Sequence, residues 1–394
     1  MVLKKKRIAI FTERIYPFYS GGSEKVMYDY AQILSEKYDV TVFTSFDQGK
    51  AKQSLINVDF IYISKKIKKS NKNGNHSLRG ILSFSIFSLL GSKEIKNFDV
   101  VILDSIHYFY PLLLLKLFRL RNKKIVSIFH EAWYEYRMSN AILPPLSYLM
   151  GIFIRRLIRY SDKIVSISNS TSESLLRNYN VKKDLLITIP LGIDYNNIAN
   201  KYPVKNLEDR RYDLVFVGRF AAIKKIEDIV DAVSLLNERG KNLEIALIGD
   251  GPQKRSIQQK IEIIGLDKNF HLFGFLDEND KFSIVADSKF FILPSEREGF
   301  SLSTLEAMTF GCIPIVSKPK FDEVFGVSHF VKDGKNGIYY TCGNVLELAQ
   351  TIFNCLENLE SYKPMSISAI ETSKFFTRDE MKKKILSTLN QMIS

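Results

Sequence analysis

The residues best suited to chemistry fall in Pro294-Ser-Glu-Arg-Glu298-Gly299-Phe300-Ser301-Leu-Ser-Thr-Leu-Glu306. An apolar strand pattern ends just before this stretch and a helical pattern opens within it, so the backbone N–H groups after Gly299 are free to face a phosphate. Gly299 permits a close backbone approach, and Glu298 falls at the rim of the crevice that such a strand end creates. Glu306 lies further into the helix, where a carboxylate suits paired ribose hydroxyls, as the acidic residue of dinucleotide folds does. The plainer alternative makes Glu306 one half of a capping box with Ser303 and leaves Glu298 solvated.

A second strand end carries Val217-Gly218-Arg219-Phe-Ala-Ala-Ile-Lys224-Lys225. A planar guanidinium fork and a point-like ammonium can converge there on one diphosphate. Two solvated cations at a helix start would instead oppose the helix dipole. Gly249-Asp250-Gly251-Pro252 ends another strand in a tight turn, and Gly21-Gly22 precedes the first helix; turns of this kind are common. His130 follows the strand pattern Ile125–Phe129 at a comparable sheet edge, where a lone histidine is more often structural than functional.

These strand ends require an alternating scaffold. Short β-branched runs at Arg7–Thr12, Val40–Thr44, Phe60–Ile63, Val100–Leu103, Ile125–Phe129 and Ile164–Ile167 alternate with helical patterns. In one of those, Glu24–Lys37, the residues Val26, Tyr30, Ile33 and Leu34 share a face. A second series runs through Asp213–Val217, Glu244–Ile248, Phe270–Phe273, Phe290–Leu293 and Ile313–Val316. Such alternation predicts an α/β protein with two parallel sheets, each covered by helices on both faces. The expected division is a first Rossmann-like domain over 1–190, a linker over 191–211 and a second such domain over 212–376. An amphipathic helix over 377–394 should cross back onto the first, with ligand bound in a central cleft.

Taken together, Gly218-Arg219…Lys224, Gly249-Asp-Gly-Pro252, Pro294-Ser…Glu298-Gly-Phe300, Leu305-Glu306-Ala-Met308, Gly311 and Pro314 resemble the retaining glycosyltransferases of family 4, the group 1 glycosyl transferases of GT-B fold. Gly21-Gly22, His130 and Leu191-Gly-Ile-Asp194 match the same pattern, so the resemblance runs from Ile8 to the closing helix. It implies transfer of a hexose from a nucleotide-diphosphate sugar of UDP or GDP type, with no cofactor or metal and with retention of configuration. The departing phosphate oxygen would accept the acceptor's proton on the same face. Of the residues, it implies that Arg219 and Lys224 bind the diphosphate, that Glu306 binds the ribose, that Glu298 holds hydroxyls of the sugar, and that His130 lies near the sugar's C6. These four, His130, Arg219, Lys224 and Glu298, form the expected catalytic set. Gly22, Gly249, Gly251, Phe275 (beside the base), Gly299, Phe300 and Ser301 join Glu306 in binding the donor. Two positions depart from the pattern: Lys225 stands where a glycine is usual, and Lys318-Pro-Lys-Phe-Asp-Glu323 replaces a glycine-rich turn.

Charge narrows the partners. Residues 1–190 hold 30 Lys and Arg against 15 Asp and Glu, a balance of +15, while the remainder balances at −2. This asymmetry predicts an anionic partner for the first half. Apolar–basic stretches at 111–124 and at Leu143–Tyr160, which includes Arg155, Arg156 and Arg159, point to an anionic membrane surface. Buried helices with cations in their last turns are the plain reading, and Lys65–Lys72 reads as a solvated loop. Nucleic acid explains the charge but not the strand-end motifs, and neither aromatic–basic interleaving nor zinc spacing is present. A GT-B epimerase or phosphorylase would share the fold but needs further acid/base groups, and a silent scaffold would have no use for every charged motif residue. Cys312, Cys342 and Cys355 read as buried thiols of a reducing compartment. The apolar run Ile8–Phe11 is too short for a signal peptide and no run reaches spanning length. The expected address is cytoplasmic, peripheral on the membrane face. The acceptor stays open among glycan, lipid-linked and small-molecule classes.

Overall fold

The computed structural model describes residues 5–16, 22–44, 57–62, 94–104, 123–131, 144–319 and 325–393. The chain folds into two compact units, one of residues up to Pro190 together with 381–393, the other Leu191–Glu380.

The first unit carries seven parallel strands: β1 Arg7–Phe11, β2 Asp39–Thr44, β3 Val58–Tyr62, β4 Val100–Asp104, β5 Lys124–Phe129, β6 Lys163–Ser166 and β7 Leu186–Thr188. They lie in the order β3-β2-β1-β4-β5-β6-β7. The order reverses direction between β1 and β4, so the loops leaving these two strands part to opposite faces and open a crevice. β1 and β4 are buried almost throughout, as strands covered on both faces must be. Helix α1, Gly22–Ser35, turns Val26, Tyr30, Ile33 and Leu34 inward, the face its periodicity predicts.

Helix α2, Pro144–Tyr160, covers most of one apolar–basic stretch. Ile154, Leu157 and Ile158 are buried, while Arg155, Arg156 and Arg159 are exposed. These apolar side chains of its last turns are therefore used by the fold itself, while the three arginines face outward. The stretch at 111–124 lies outside the described residues up to 122, as do Lys65–Lys72, Gly21 and Ile63. Helix α3, Asn169–Tyr179, is capped by Ser168, which accepts from the Thr171 N–H at 3.2 Å.

The second unit carries six parallel strands: β8 Tyr212–Val217, β9 Ile245–Ile248, β10 Phe270–Gly274, β11 Ser288–Leu293, β12 Ile313–Lys318 and β13 Ile338–Thr341. Their order is β10-β9-β8-β11-β12-β13, with the reversal between β8 and β11. Both strands expected to carry the diphosphate and glutamate motifs thus flank that reversal. The segment 191–211, expected as a linker, is folded: α4 spans Tyr195–Ala199 and a 3₁₀ turn spans Leu207–Asp209. Near its end lies Arg210, which is 3% exposed. The Arg210 guanidinium donates to the carbonyls of Lys205, Ser288 and Phe310, joining the segment to β11 and to the end of a later helix.

The remaining helices are α5 Ile226–Glu238, α6 Lys254–Ile263, α7 Glu278–Ala286, α8 Leu302–Thr309, α9 Val345–Glu357, α10 Lys363–Ser373 and α11 Arg378–Ile393. One core joins α5, α6 and α9 to β8, β9 and β11 through Leu214, Val230, Leu247, Ile257, Phe290 and Ile352. Most of the last helix groups with the first unit: Asn390 accepts from Lys37 Nζ and Tyr38 OH, and Lys382 pairs with Glu36. Just before it, the Ile193 N–H donates to Phe376 O and Arg378 N–H to Ile193 O. Among the described residues no helix is long and apolar enough to cross a membrane. Cys312, Cys342 and Cys355 are free and buried; burial pushes the Cys312 thiol up to about 12.

Candidate functional site

In the second unit the loops leaving β8, β9 and β11 are laced together by their backbones. Gly218 N–H donates to Ile248 O at 3.0 Å, Phe220 N–H to Asp250 O at 3.0 Å, and Glu296 N–H to Ile223 O at 2.9 Å. The first two contacts require a residue without a Cβ at 249. Gly249 sits at φ +143°, and a Cβ there would overlap the Gly218 carbonyl. Gly251 follows in the same turn, its N–H donating to Asp250 Oδ1 at 2.7 Å. These two glycines set the loops rather than offering chemistry of their own.

Arg219 stands exposed on this platform, and Lys224 ends the 3₁₀ turn Ala222–Lys224. Lys224 Nζ pairs with Glu298 Oε1, which also accepts from Ser295 Oγ at 2.7 Å. The two side chains are 24% and 13% exposed. Two residues read from separate motifs are thus brought into one ion pair, and Glu298 is not the solvated carboxylate of the plain reading. The next residue, Lys225, adopts left-handed backbone angles, φ 48° and ψ 39°, immediately before α5. The hydrogen bond that its ammonium donates to Glu296 holds its pKa above the usual range.

After Glu298 the chain passes Gly299 and Phe300 to Ser301, whose φ of 73° is again left-handed. Ser301 caps α8, accepting from Thr304 N–H at 3.4 Å, so Glu306 closes no capping box. The Phe300 ring is buried, packed 4.9 Å from Phe330 and 6.0 Å from Phe376 between ring centroids. Only its backbone can meet a ligand. Gly326 donates its N–H to Glu298 O at 2.7 Å, and a Cβ on it would overlap the Gly299 carbonyl. Residues 320–324, where the departing Lys318–Glu323 segment falls, lie outside the described residues.

Glu306 is 6% exposed and receives Lys281 Nζ at 2.8 Å. Phe275 follows Gly274, whose carbonyl accepts from Gly249 N–H at 2.8 Å, and its ring is 69% exposed. It is an apolar platform available for stacking.

In the first unit, Gly22 opens α1, and a Cβ there would meet nothing within 4 Å. His130 is 5% exposed at the end of β5, with Nε2 3.4 Å from Asp104 Oδ1. That distance suits an electrostatic contact rather than a short hydrogen bond. Asp104, 2% exposed at the end of β4, has its Oδ2 2.7 Å from Thr12 Oγ1 at the end of β1. The Thr12–Asp104 contact bridges the point where strand order reverses. Glu13 and Arg14, just beyond, are also buried. Sequence reading missed Asp104, Thr12 and Lys281. A buried carboxylate at a strand's carboxyl end was the available signal for Asp104; Lys281 had none, being an ordinary helix lysine until folded. Among the described residues no group of three His, Cys, Asp or Glu is placed to hold a metal ion.

Comparison with known proteins bears on the whole chain. The family described as "Glycosyl transferases group 1" matches residues 198–372, and that described as "Glycosyltransferase Family 4" matches 20–197. The poly(glycerol-phosphate) alpha-glucosyltransferase of Bacillus subtilis is 29% identical over 190 residues, 48% of this chain; the chain spans only 27% of that protein's length. An N-acetylgalactosaminyltransferase of Campylobacter jejuni, named for a diphospho-undecaprenol acceptor, is 21% identical over 98% of this chain and 99% of its own. The solved Anabaena protein HepE, in complex with UDP and glucose, has a TM-score of 0.75 at 18% identity, covering 98% of this chain and 100% of its own. That likeness is one of fold, GT-B with its two Rossmann-like sheets.

Proposed function

The chain belongs to the group 1 glycosyltransferases, and from that premise we propose that it moves a hexose from a UDP or GDP sugar to a glycan or lipid-linked acceptor, with retention and without a metal. The observation that carries the proposal is the Lys224–Glu298 pair, set where strand order reverses between β8 and β11. At that point Arg219 and Lys224 neutralise charge developing on the departing diphosphate, the main electrostatic demand of the reaction. Two cations in this role remove the need for a divalent ion. Glu298 holds the sugar's hydroxyls, Glu306 the ribose, and Phe275 stacks on the base. The N–H groups of Gly299, Phe300 and Ser301 face phosphate, with Gly249 and Gly251 shaping the loops around it. In the first unit, His130 serves the sugar's C6 side, and Gly22 lends backbone at the start of α1. Retention is supported by relatives whose names specify alpha linkages, among them the Bacillus enzyme and an alpha-D-kanosaminyltransferase of Streptomyces kanamyceticus. The Campylobacter relative's lipid-linked acceptor supports the acceptor class.

Thermal unfolding with UDP, GDP and ADP tests the donor. A binding nucleotide at a hundredfold over its Kd should stabilise the protein by about 2.7 kcal/mol through mass action. Arg219→Ala should reduce turnover by on the order of 10²-fold without lowering the unliganded melting temperature. With the matching nucleotide sugar and water as acceptor, NMR should show the α sugar appearing first, in excess chelator. No response to any of the three nucleotides sinks the proposal; β sugar first sinks retention alone.

A further inference from the structure

Lys281 belongs to none of the motifs that suggested the function, yet it meets the most buried carboxylate of the donor site. It lies on α7, whose cap Asp277 accepts from Asp280 N–H at 2.9 Å. Its ammonium lies 2.8 Å from Glu306 Oε2, and the two side chains are only 15% and 8% exposed. The same ammonium sits 4.1 Å from the centroid of the Phe282 ring, which fixes it from a second side. An exposed ion pair contributes little, whereas removing one partner of a shielded pair is costly to the charge that remains. The element that carries Lys281 begins three residues after Phe275, so one loop-and-helix unit supplies both the stacking platform and the partner of Glu306.

A carboxylate grips a vicinal diol by accepting a hydrogen bond from each hydroxyl, which demands its ionised form. Beside a diphosphate and out of water, a cation as close as Lys281 favours that form. We infer that Lys281 is a positioning residue for donor binding, holding Glu306 ionised and oriented toward the ribose hydroxyls of the nucleotide. The inference rests on Glu306 being the ribose ligand. It gives Lys281 a role exerted wholly through Glu306, with no contact to the nucleotide required.

Calorimetric binding of UDP and GDP to the full chain tests it, with wild type, Lys281→Met, Lys281→Arg, Glu306→Gln and the double variant Lys281→Met/Glu306→Gln. Lys281→Met should weaken binding relative to wild type by about tenfold or more at pH 6. That ratio should shrink toward pH 8, because higher pH by itself favours the ionised carboxylate that Lys281 otherwise secures. Taking the ratio at each pH cancels the nucleotide's own titration. Lys281→Arg should bind within about threefold of wild type, and the methionine substitution should add nothing once Glu306 is already glutamine. If Glu306→Gln binds as wild type does, the ribose reading itself falls. If Glu306→Gln weakens binding but Lys281→Met does not, or its ratio to wild type is the same at pH 6 and pH 8, the role of Lys281 falls while the ribose reading stands. Should the methionine variant not fold, the arginine variant decides: binding lost in Lys281→Arg with an unchanged melting temperature overturns the inference.

Discussion

Glu298 accepts hydrogen bonds from both Lys224 and Ser295, and the first of these is in competition with any diphosphate that needs the same lysine. Glutamine at 298 keeps the shape and the bond to Ser295 but no longer neutralises Lys224. Nucleotide diphosphate should then bind more tightly, by about threefold to tenfold, because a partly shielded pair is worth on the order of 1 kcal/mol. Turnover should move the other way, down by on the order of 10²-fold, since sugar contacts that strengthen in the transition state are lost. Calorimetry and steady-state rates on Glu298→Gln read both. A parallel fall in affinity and rate would place Glu298 on the nucleotide and reject its assignment to the sugar. The sequence showed Glu298, Lys224 and Arg219 because each lies in a stretch that leaves the end of a strand pattern. It did not show who pairs with whom. Glu306 and Lys281 are 25 positions apart and on different helices, and Thr12 and Asp104 are 92 apart; only the packing of the sheet edge brings them within reach.

Elements were legible where burial imposes a pattern and illegible where it does not. The central strands β1, β4, β8 and β11 appear in the sequence within two residues of their observed ends, because covering on both faces demands continuous apolar runs. β7 and β13, with three and four residues, were missed: both are outermost in their sheets, and β7 is only half-buried along its length. Lys225 shows the converse, a sequence departure explained by an element. It bridges a 3₁₀ turn and α5 in the left-handed conformation that a glycine takes without strain. A side chain there costs about 1 kcal/mol or more. Its pairing with Glu296 returns less, both groups being over a third exposed. Lys225→Gly should therefore raise the melting temperature by about 1–3 °C. Lys225→Ala keeps the strain, loses the pair and should melt below wild type. A glycine variant that melts below the alanine variant would show that strain at this turn is not what the lysine costs.

Across the whole molecule the charge is divided as +15 for residues 1–190 and −2 for the rest. Helix α2 decides how the positive part can be used. Had its apolar residues faced water, the helix could enter a membrane interface and hold on at any salt concentration. With Ile154, Leu157 and Ile158 inside the fold and Arg155, Arg156 and Arg159 outside, the last turns of the helix can attract an anionic surface through charge. Each basic residue near such a surface contributes about 1 kcal/mol, screened over a Debye length of roughly 8 Å at physiological salt. The full chain should therefore float with phosphatidylglycerol vesicles at low salt and leave them as salt rises. Changing the three arginines together to glutamine should weaken binding by at most about a hundredfold. UDP or GDP binding should be unchanged, because Arg219, Lys224 and Glu306 belong to the other unit. Flotation that survives high salt would mean that apolar residues outside those described reach the lipid. Failure to float on anionic vesicles even at low salt would assign the excess charge to an anionic acceptor in solution.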